Sequence, residues 1–217
     1  MNSYKKRADG FTLIELLVVI SIIALLMAVM MPALSKARAL AKKTICTSNV
    51  RQVMTAQMIY VQENDGWVTP LIDNFTGNGF MTKLEIYDMP IEAFLCPSQK
   101  LREKNIWGDY FCHYGLNMEL AGVIDDDGDR YVGPLKGRKL TSFKDSAELV
   151  VLADVERDRV SNLLNWGFRY EGDTAFERRY GDRDNEGANY GFGDGHVEYT
   201  KDWESMNTEK HIKVYGR

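Results

Sequence analysis

The sequence has 217 residues, of which 45% are hydrophobic and 27% are charged, with a formal net charge of −4 at pH 7. This composition excludes a disordered or collagen-like chain and allows one core domain of ordinary size. The charge excludes a binder of duplex nucleic acid, because such a protein needs an excess of clustered Lys and Arg to neutralise phosphates.

The beginning of the chain is basic and then strongly apolar. Residues 1–43 hold seven Lys and Arg against two acidic residues, which leaves residues 44–217 with a net charge of −9. From Phe11 to Leu34 the only ionisable side chain is Glu15. A helix of that length rises roughly 30 Å or more, enough to cross a bilayer. The run is longer than the apolar core of a cleaved secretory signal, so we predict a retained transmembrane helix over residues 11–34 instead of such a signal or a buried core helix.

Glu15 needs a physical explanation within this apolar run. A carboxylate costs about 2.5–3.5 kcal/mol at the centre of a membrane helix and less near the interface, so its presence indicates a partner in the membrane or an assembly. The surrounding sequence is KKR over residues 5–7 and GFTLIELLVVI over residues 10–20. These segments resemble the processing site of type IV prepilins and type II secretion pseudopilins.

The resemblance implies a role for each marked residue. A prepilin peptidase in the membrane would cut after Gly10 on the cytoplasmic face and remove a leader peptide of residues 1–10. Phe11 would then be N-methylated, and Glu15 would pair with the terminal amine of a neighbouring subunit as it enters a filament. Such a pair compensates the desolvation of both charges. Pro32, which lacks an N–H, matches the position where the family has a kink or local melting of its helix.

Basic residues on both sides of the apolar run leave its orientation nearly balanced, since residues 5–7 and 36–43 oppose each other under the positive-inside rule. The resemblance implies a single-pass inner-membrane protein. Its N-terminus would be cytoplasmic, and its head would be periplasmic or extracellular.

The helical pattern continues past Pro32 to about Asn64. An amphipathic stem helix over residues 35–65 is indicated by apolar residues three and four apart, namely Val50, Val53, Met54, Met58 and Val61. Asp65-Gly66 is a stop signal. Counted from Phe11, the whole helix would have some 53 residues, about 80 Å at 1.5 Å per residue.

Residues 66–217 are predicted to form an extracytoplasmic head. Residues 148–154 have the pattern of a buried strand, and residues 188–192 and 196–200 flank Asp194-Gly195, a strong hairpin signal. The fold class is therefore α+β, a long N-terminal transmembrane and stem helix packed on a small antiparallel β-sheet head, as in pilins.

A second resemblance involves the head. It is to a pilin-like group with a C-terminal His-x9-Asp-Gly signature, and it is carried by residues 46–52, 94–98, 114–117 and 183–197. The signature His is Asp184 in this sequence, so no role of that His can be transferred. Asp194, Gly195 and His196 remain.

We predict no enzymatic activity, no metal centre and no cofactor. Asp184, Asp194, His196 and Glu198 are the best candidates for acid–base chemistry, but their pattern is more typical of the polar face of a hairpin. The chain has no nucleophile motif, phosphate loop or complete metal-ligand spacing. The acidic residues 125–129 suggest a calcium site, as some pseudopilins have. Gly128 precedes Asp129, however, and no Glu occupies the closing position of a calcium loop, so a solvated turn is favoured.

Three cysteines allow one disulfide in an oxidising compartment. Cys96 with Cys112 would close a loop of about 15 residues, worth around 3 kcal/mol. Cys46 with Cys96 would instead attach the stem helix to the head. Three buried thiols are the remaining option.

The sequence thus predicts a pilin-like structural subunit, a pseudopilin, that assembles into a type II secretion-like or type IV pilus-like filament. The resemblance implies as partners a prepilin peptidase, other pilin-like subunits, membrane lipid and an inner-membrane assembly platform with a separate ATPase. The alternative is a single-pass surface protein whose head binds a ligand such as a polysaccharide, suggested by the aromatic residues Trp107, Tyr110, Trp166 and Trp203. A membrane-tethered hydrolase is a third, weaker hypothesis.

Overall fold

The computed structural model describes residues 12–70, 72–73, 78–98, 112–121, 123–124, 138–154, 167–168 and 187–201. The predicted leader and cleavage site at Gly10 and Phe11, the acidic residues 125–129, Asp184 and the four aromatic residues named above lie outside the described residues. The chain divides into two compact units, Met1–Ala41 and Lys42–Arg217.

One helix, α1 (Leu13–Glu63), has 51 residues and includes Pro32, close to the length expected from the sequence. Its stretch from Leu16 to Leu34 is apolar on all sides apart from Ser21, and no side chain from Thr12 to Ala41 is buried within the first unit. Among the described residues α1 is the one helix long and apolar enough to cross a membrane. A helix that is hydrophobic all round requires a non-aqueous environment or neighbouring helices.

In the second unit α1 becomes amphipathic. Its buried residues recur three and four apart and are Cys46, Asn49, Val50, Val53, Met54, Ala56, Gln57, Tyr60 and Val61. Met58, predicted for the same face, is partly buried against the core. The helix ends where Asp65 and Gly66 have positive φ of 53° and 85° and the Gly66 N–H donates to the Val61 carbonyl at 2.9 Å. The Asp-Gly stop is thus a left-handed C-terminal cap.

The head contains two sheets and short helical turns. Its strands are β1 (Ile72–Asp73), β2 (Asn78–Gly79), β3 (Tyr114–Asn117), β4 (Val123–Ile124), β5 (Val150–Asp154), β6 (Gly167–Phe168), β7 (Ala188–Phe192) and β8 (Val197–Thr200). Its α-helices are α2 (Phe80–Glu85) and α3 (Met118–Ala121), and its 3-10 turns are Ile91–Phe94, Leu140–Ser142 and Ser146–Glu148.

The main sheet has the order β6-β3-β5-β7-β8. β3, β5, β7 and β8 are antiparallel, and β6 pairs parallel to β3. The smaller sheet has the order β2-β1-β4. The predicted hairpin is present as β7 and β8, with Ala188 opposite Thr200 and Gly191 opposite Val197. A long helix with a small antiparallel sheet confirms the predicted α+β, pilin-like class.

The stem part of α1 lies close to β7 at Gly191. A Cβ at this position would collide with the side chain of Met54, which is fully buried. Gly191 is therefore needed for the close approach of helix and sheet. One buried cluster contains Val53 and Met54 of the stem together with Leu116 and Leu152 of the main sheet. The stem therefore forms part of the hydrophobic core of the head.

Gly191→Val should lower the free energy of unfolding by about 1–3 kcal/mol, the usual effect of overpacking a core. The full chain in detergent micelles can be unfolded by heat and followed by circular dichroism. Glu198→Val is the control, because it places the same valine side chain at an exposed position of β8. Equal melting temperatures for the wild type and Gly191→Val would contradict the close packing.

Candidate functional site

The first turn of α1 places Thr12 and Glu15 in contact. The Thr12 N–H and hydroxyl both donate to Glu15 Oε2, at 2.9 and 2.8 Å, and the Glu15 N–H donates to Thr12 Oγ1 at 3.3 Å. The Thr12 carbonyl accepts the Leu16 N–H at 3.2 Å. Thr at the N-cap and Glu at the third helical position form a reciprocal capping box. The carboxylate therefore has hydrogen-bond donors within its own helix.

Thr12 is a residue that the sequence analysis missed. Its signal was present, because Thr-x-x-Glu directly before an apolar run is the sequence pattern of a capping box. The family resemblance implies a partner for Glu15 in another subunit, and the structure adds a partner, Thr12, three residues away.

The rest of the apolar segment satisfies its own polar groups. The Ser21 hydroxyl donates to the Leu17 carbonyl at 2.6 Å, so no hydroxyl of this turn needs an external partner. Pro32 lies inside the same helix, 17 positions after Glu15. Among the described residues from Thr12 to Leu34, Glu15 is thus the one with an ionisable side chain. It lies at the end of the apolar segment, where the free-energy cost of placing a carboxylate in a membrane is lowest.

Asp194, Gly195 and His196 form the turn between β7 and β8. Asp194 Oδ1 accepts the His196 N–H at 3.0 Å and lies 2.5 Å from His196 Nδ1. Gly195 has φ of +93°, and its N–H donates to the Phe192 carbonyl at 2.8 Å. The His196 ring stacks on Phe192 with 4.2 Å between centroids. These contacts are those of a turn held by its own Asp side chain.

Burial alone would raise the pKa of the Asp194 carboxyl. The hydrogen bonds from the His196 N–H and ring, with the charge of that ring when protonated, outweigh burial and hold the pKa below its ordinary value of 3.8. A lowered pKa means that Asp194 stabilises the fold while ionised and loses this effect as the pH falls through the folded-state pKa.

Asp194→Asn should therefore lower the melting temperature at neutral pH and leave it unchanged once the pH is well below 3.8. The effect should be small, since both side chains are partly exposed and water screens the pair. Melting curves of the full chain in micelles from neutral to acidic pH would check it. A difference that persists at a pH well below 3.8 would contradict the assigned direction.

No group of three or more His, Cys, Asp or Glu that could hold a metal occurs among the residues that the structure describes. The candidate acid–base set is only partly visible. Asp194 and His196 are in contact, Glu198 is exposed on β8, and Asp184 lies outside the described residues. The described contact between Asp194 and His196 holds the turn between β7 and β8.

The three cysteines lie in one buried cluster. Cys46 of the stem and Cys96 of the head form a disulfide with 5.0 Å between their Cα atoms. Cys112 is also buried and keeps its thiol, whose Sγ accepts the Tyr114 N–H at 3.4 Å. The sequence left open a Cys96–Cys112 bridge, a Cys46–Cys96 bridge and three thiols. The structure has the Cys46–Cys96 bridge, which attaches the stem to the head.

A buried polar network reinforces this attachment. Asp154 Oδ2 accepts both the backbone N–H and the Nδ2 of Asn189, at 2.8 and 2.7 Å. The Asn189 Oδ1 in turn accepts the Thr47 hydroxyl at 2.6 Å. Asn49 Nδ2 donates to the carbonyls of Glu92 and Leu95, at 3.3 and 3.1 Å. The second resemblance marked residues 46–52 and 94–98, and the structure brings them together.

Comparisons with known proteins find a matching family model and pilin relatives of this chain. Residues 5–31 match the family model described as the prokaryotic N-terminal methylation motif. The chain is 42% identical over 64 residues to the type IV wide pilus major component PilA4 of Thermus thermophilus, and 35% identical over 65 residues to the type IV major pilin protein PilA of Myxococcus xanthus.

These matches are partial. Each covers 30% of this chain, and they span 49% of the Thermus protein and 30% of the Myxococcus protein. No solved structure matches the chain.

The motif and the geometry agree on the same segment. The matched residues 5–31 include the predicted cleavage site, the capping box and most of the exposed apolar part of α1. An apolar N-terminal helix that follows a prepilin motif indicates a membrane-anchored protein. The chain thus carries a prokaryotic N-terminal methylation motif and is similar over part of its length to two type IV pilins.

Proposed function

We propose that this chain is a structural subunit of a type IV pilin-like filament and acts by assembly, not by catalysis. The observation that carries the proposal is the segment at residues 12–34. It combines a prepilin motif, a helix with apolar side chains on all sides and one carboxylate at its start.

This segment needs two environments during assembly. As a monomer its apolar surface is compatible with lipid, where Thr12 satisfies the Glu15 carboxylate locally. In a filament the same surface would be covered by equivalent helices of other subunits. Glu15 would then exchange its contact with Thr12 for the terminal amine of a neighbouring Phe11.

The proposal includes the partners that such assembly requires. A prepilin peptidase would remove residues 1–10 and Phe11 would be methylated, because a free, unblocked amine next to Glu15 exists only after cleavage. An assembly platform with its own ATPase would supply energy. The head would face the periplasm or the cell exterior, which agrees with the disulfide between Cys46 and Cys96.

Two kinds of filament are compatible with this subunit. Both matched relatives are named as type IV pilus components, which supports a pilus-like filament. The pseudopilin of a type II secretion-like machine, predicted from the sequence, differs in forming a short filament in the cell envelope.

The test is filament membership in the native host. Surface filaments are sheared from cells, and the sheared fraction and the membrane fraction are both treated with a lysine-directed cross-linker. We expect ladders of cross-linked copies in one of the two fractions, with sheared filaments identifying a pilus and envelope-bound ladders a pseudopilin. Monomers alone in both fractions, in cells that assemble their other pilins, would overturn the proposal.

A further inference from the structure

Three of the links between the stem and the head lie within residues 46–49 of α1, which we call the stem joint. Cys46 is bonded to Cys96, the Thr47 hydroxyl donates to Asn189 Oδ1, and Asn49 Nδ2 donates to the Glu92 and Leu95 carbonyls. All these residues belong to the second unit. The joint thus connects one turn of α1 with both β7 and the 3-10 turn Ile91–Phe94.

The joint lies where α1 first becomes buried. No residue of α1 before Cys46 is buried, and Thr44 and Ile45 are exposed. The apolar packing of the stem starts at Val50 and continues to Val61. A stem helix that opened from its N-terminal side would therefore have to break the stem joint before any apolar contact.

The links of the joint differ in strength. Hydrogen bonds such as those of Thr47 and Asn49 open and close in the native state, since each adds little to stability in exchange with water. A disulfide opens only by a redox reaction. Once Cys46 and Cys96 are reduced, only hydrogen bonds and packing hold the turn of α1 that contains the stem joint.

We infer that the Cys46–Cys96 disulfide is a redox-dependent lock that keeps the N-terminal part of the stem docked on the head. The lock closes when the two thiols give up two protons and two electrons to a disulfide-bearing oxidant, which becomes two thiols. This inference rests on the proposed function only in placing the head where such an oxidant acts. In the reduced chain, residues 44–49 open by local unfolding, while the buried stem residues from Val50 onward and the sheet stay packed.

Cys112 provides a matched control. The His113 N–H donates to the Phe94 carbonyl at 2.9 Å, and the Cys96 N–H donates to His113 Nδ1 at 2.8 Å, so the residue next to Cys112 contacts the bonded cysteine. Its burial protects it from reaction. Cys112→Ser changes a cysteine of the same cluster without touching the stem joint.

The test is hydrogen exchange of the full chain in detergent micelles, before and after reduction with a phosphine. We expect exchange from residues 44–49 to accelerate by a factor on the order of 100 to 1,000, a magnitude set by the length of the loop that the disulfide closes. Residues 150–154 of β5 should keep their protection. Cys46→Ser should match the reduced wild type, and Cys112→Ser should match the oxidised one.

Unchanged exchange at residues 44–49 after reduction would overturn the inference. So would equal acceleration of stem and β5, which would mean that the bond stabilises the head as a whole and not the stem in particular. Neither outcome bears on filament membership, which is measured in cells and does not require the lock. A failure of this inference is therefore distinguishable from a failure of the proposed function.

Discussion

Glu15→Leu should abolish assembly into a filament and leave membrane insertion intact. Insertion should even improve, since the substitution removes the one ionisable side chain of the apolar segment. Assembly should fail because the terminal amine of a neighbouring subunit would be buried without a partner. Leaving one member of a buried charge pair alone costs about 3–5 kcal/mol, more than a hundredfold in the equilibrium between inserted and free subunits.

Two variants separate the charge from the capping geometry. Glu15→Gln keeps an oxygen acceptor for Thr12 and should show a milder assembly defect. Thr12→Val keeps the carboxylate and removes the hydroxyl that donates to it at 2.8 Å. Thr12→Val should therefore assemble far better than Glu15→Leu if the carboxylate acts between subunits.

The measurement is the yield of filament-associated chain relative to membrane-inserted chain, by quantitative immunoblot of both fractions. Assembly of Glu15→Leu at the wild-type yield would refute the pairing model. A defect in Thr12→Val as severe as that of Glu15→Leu would show that the capping box, and not a contact between subunits, explains the role of the carboxylate.

Asp154→Ala should have the largest effect on the stability of the head. Asp154 Oδ2 accepts two hydrogen bonds from Asn189, and both residues are about 2% exposed. Removal of the carboxylate leaves two buried donors without their acceptor, at about 1–3 kcal/mol each. Asn189 would also lose the orientation that presents its Oδ1 to Thr47.

We expect a fall of about 3 kcal/mol in the free energy of unfolding, or roughly 6–12 °C in melting temperature for a chain of this size. Asp154→Asn retains one acceptor oxygen, so its melting temperature should lie between those of the wild type and Asp154→Ala. Asp145→Ala removes an exposed carboxylate from the segment before β5 and is the control. A melting temperature of Asp154→Ala equal to that of the control would contradict a structural role of the network.

Local sequence patterns predicted most of the regular structure. The apolar periodicity and the Asp65-Gly66 stop predicted a helix ending near Asn64, and α1 ends at Glu63. The Asp194-Gly195 signal predicted the hairpin, and β7 spans Ala188–Phe192 as expected. Both patterns depend on residues close in sequence, whose backbone preferences do not require knowledge of the rest of the fold.

Contacts between distant residues could not be predicted in this way. Thr47 and Asn189 are 142 positions apart, and from the sequence Cys96 could have paired with Cys112 or with Cys46. The choice depends on which segments the folded core places beside the stem. β3 also escaped prediction, because Tyr114-Gly115-Leu116-Asn117 is too short to show a period and is a strand through its pairing with β5.

The mass of the mature N-terminus tests the central claim most directly. The chain is isolated from membranes of the native host with its prepilin peptidase present, digested, and its N-terminal peptide is identified by mass spectrometry. A filament subunit of this family should begin at Phe11 and carry one added methyl group on its amine. An N-terminus that still begins at Met1, or that begins at any residue after Phe11, would contradict the account.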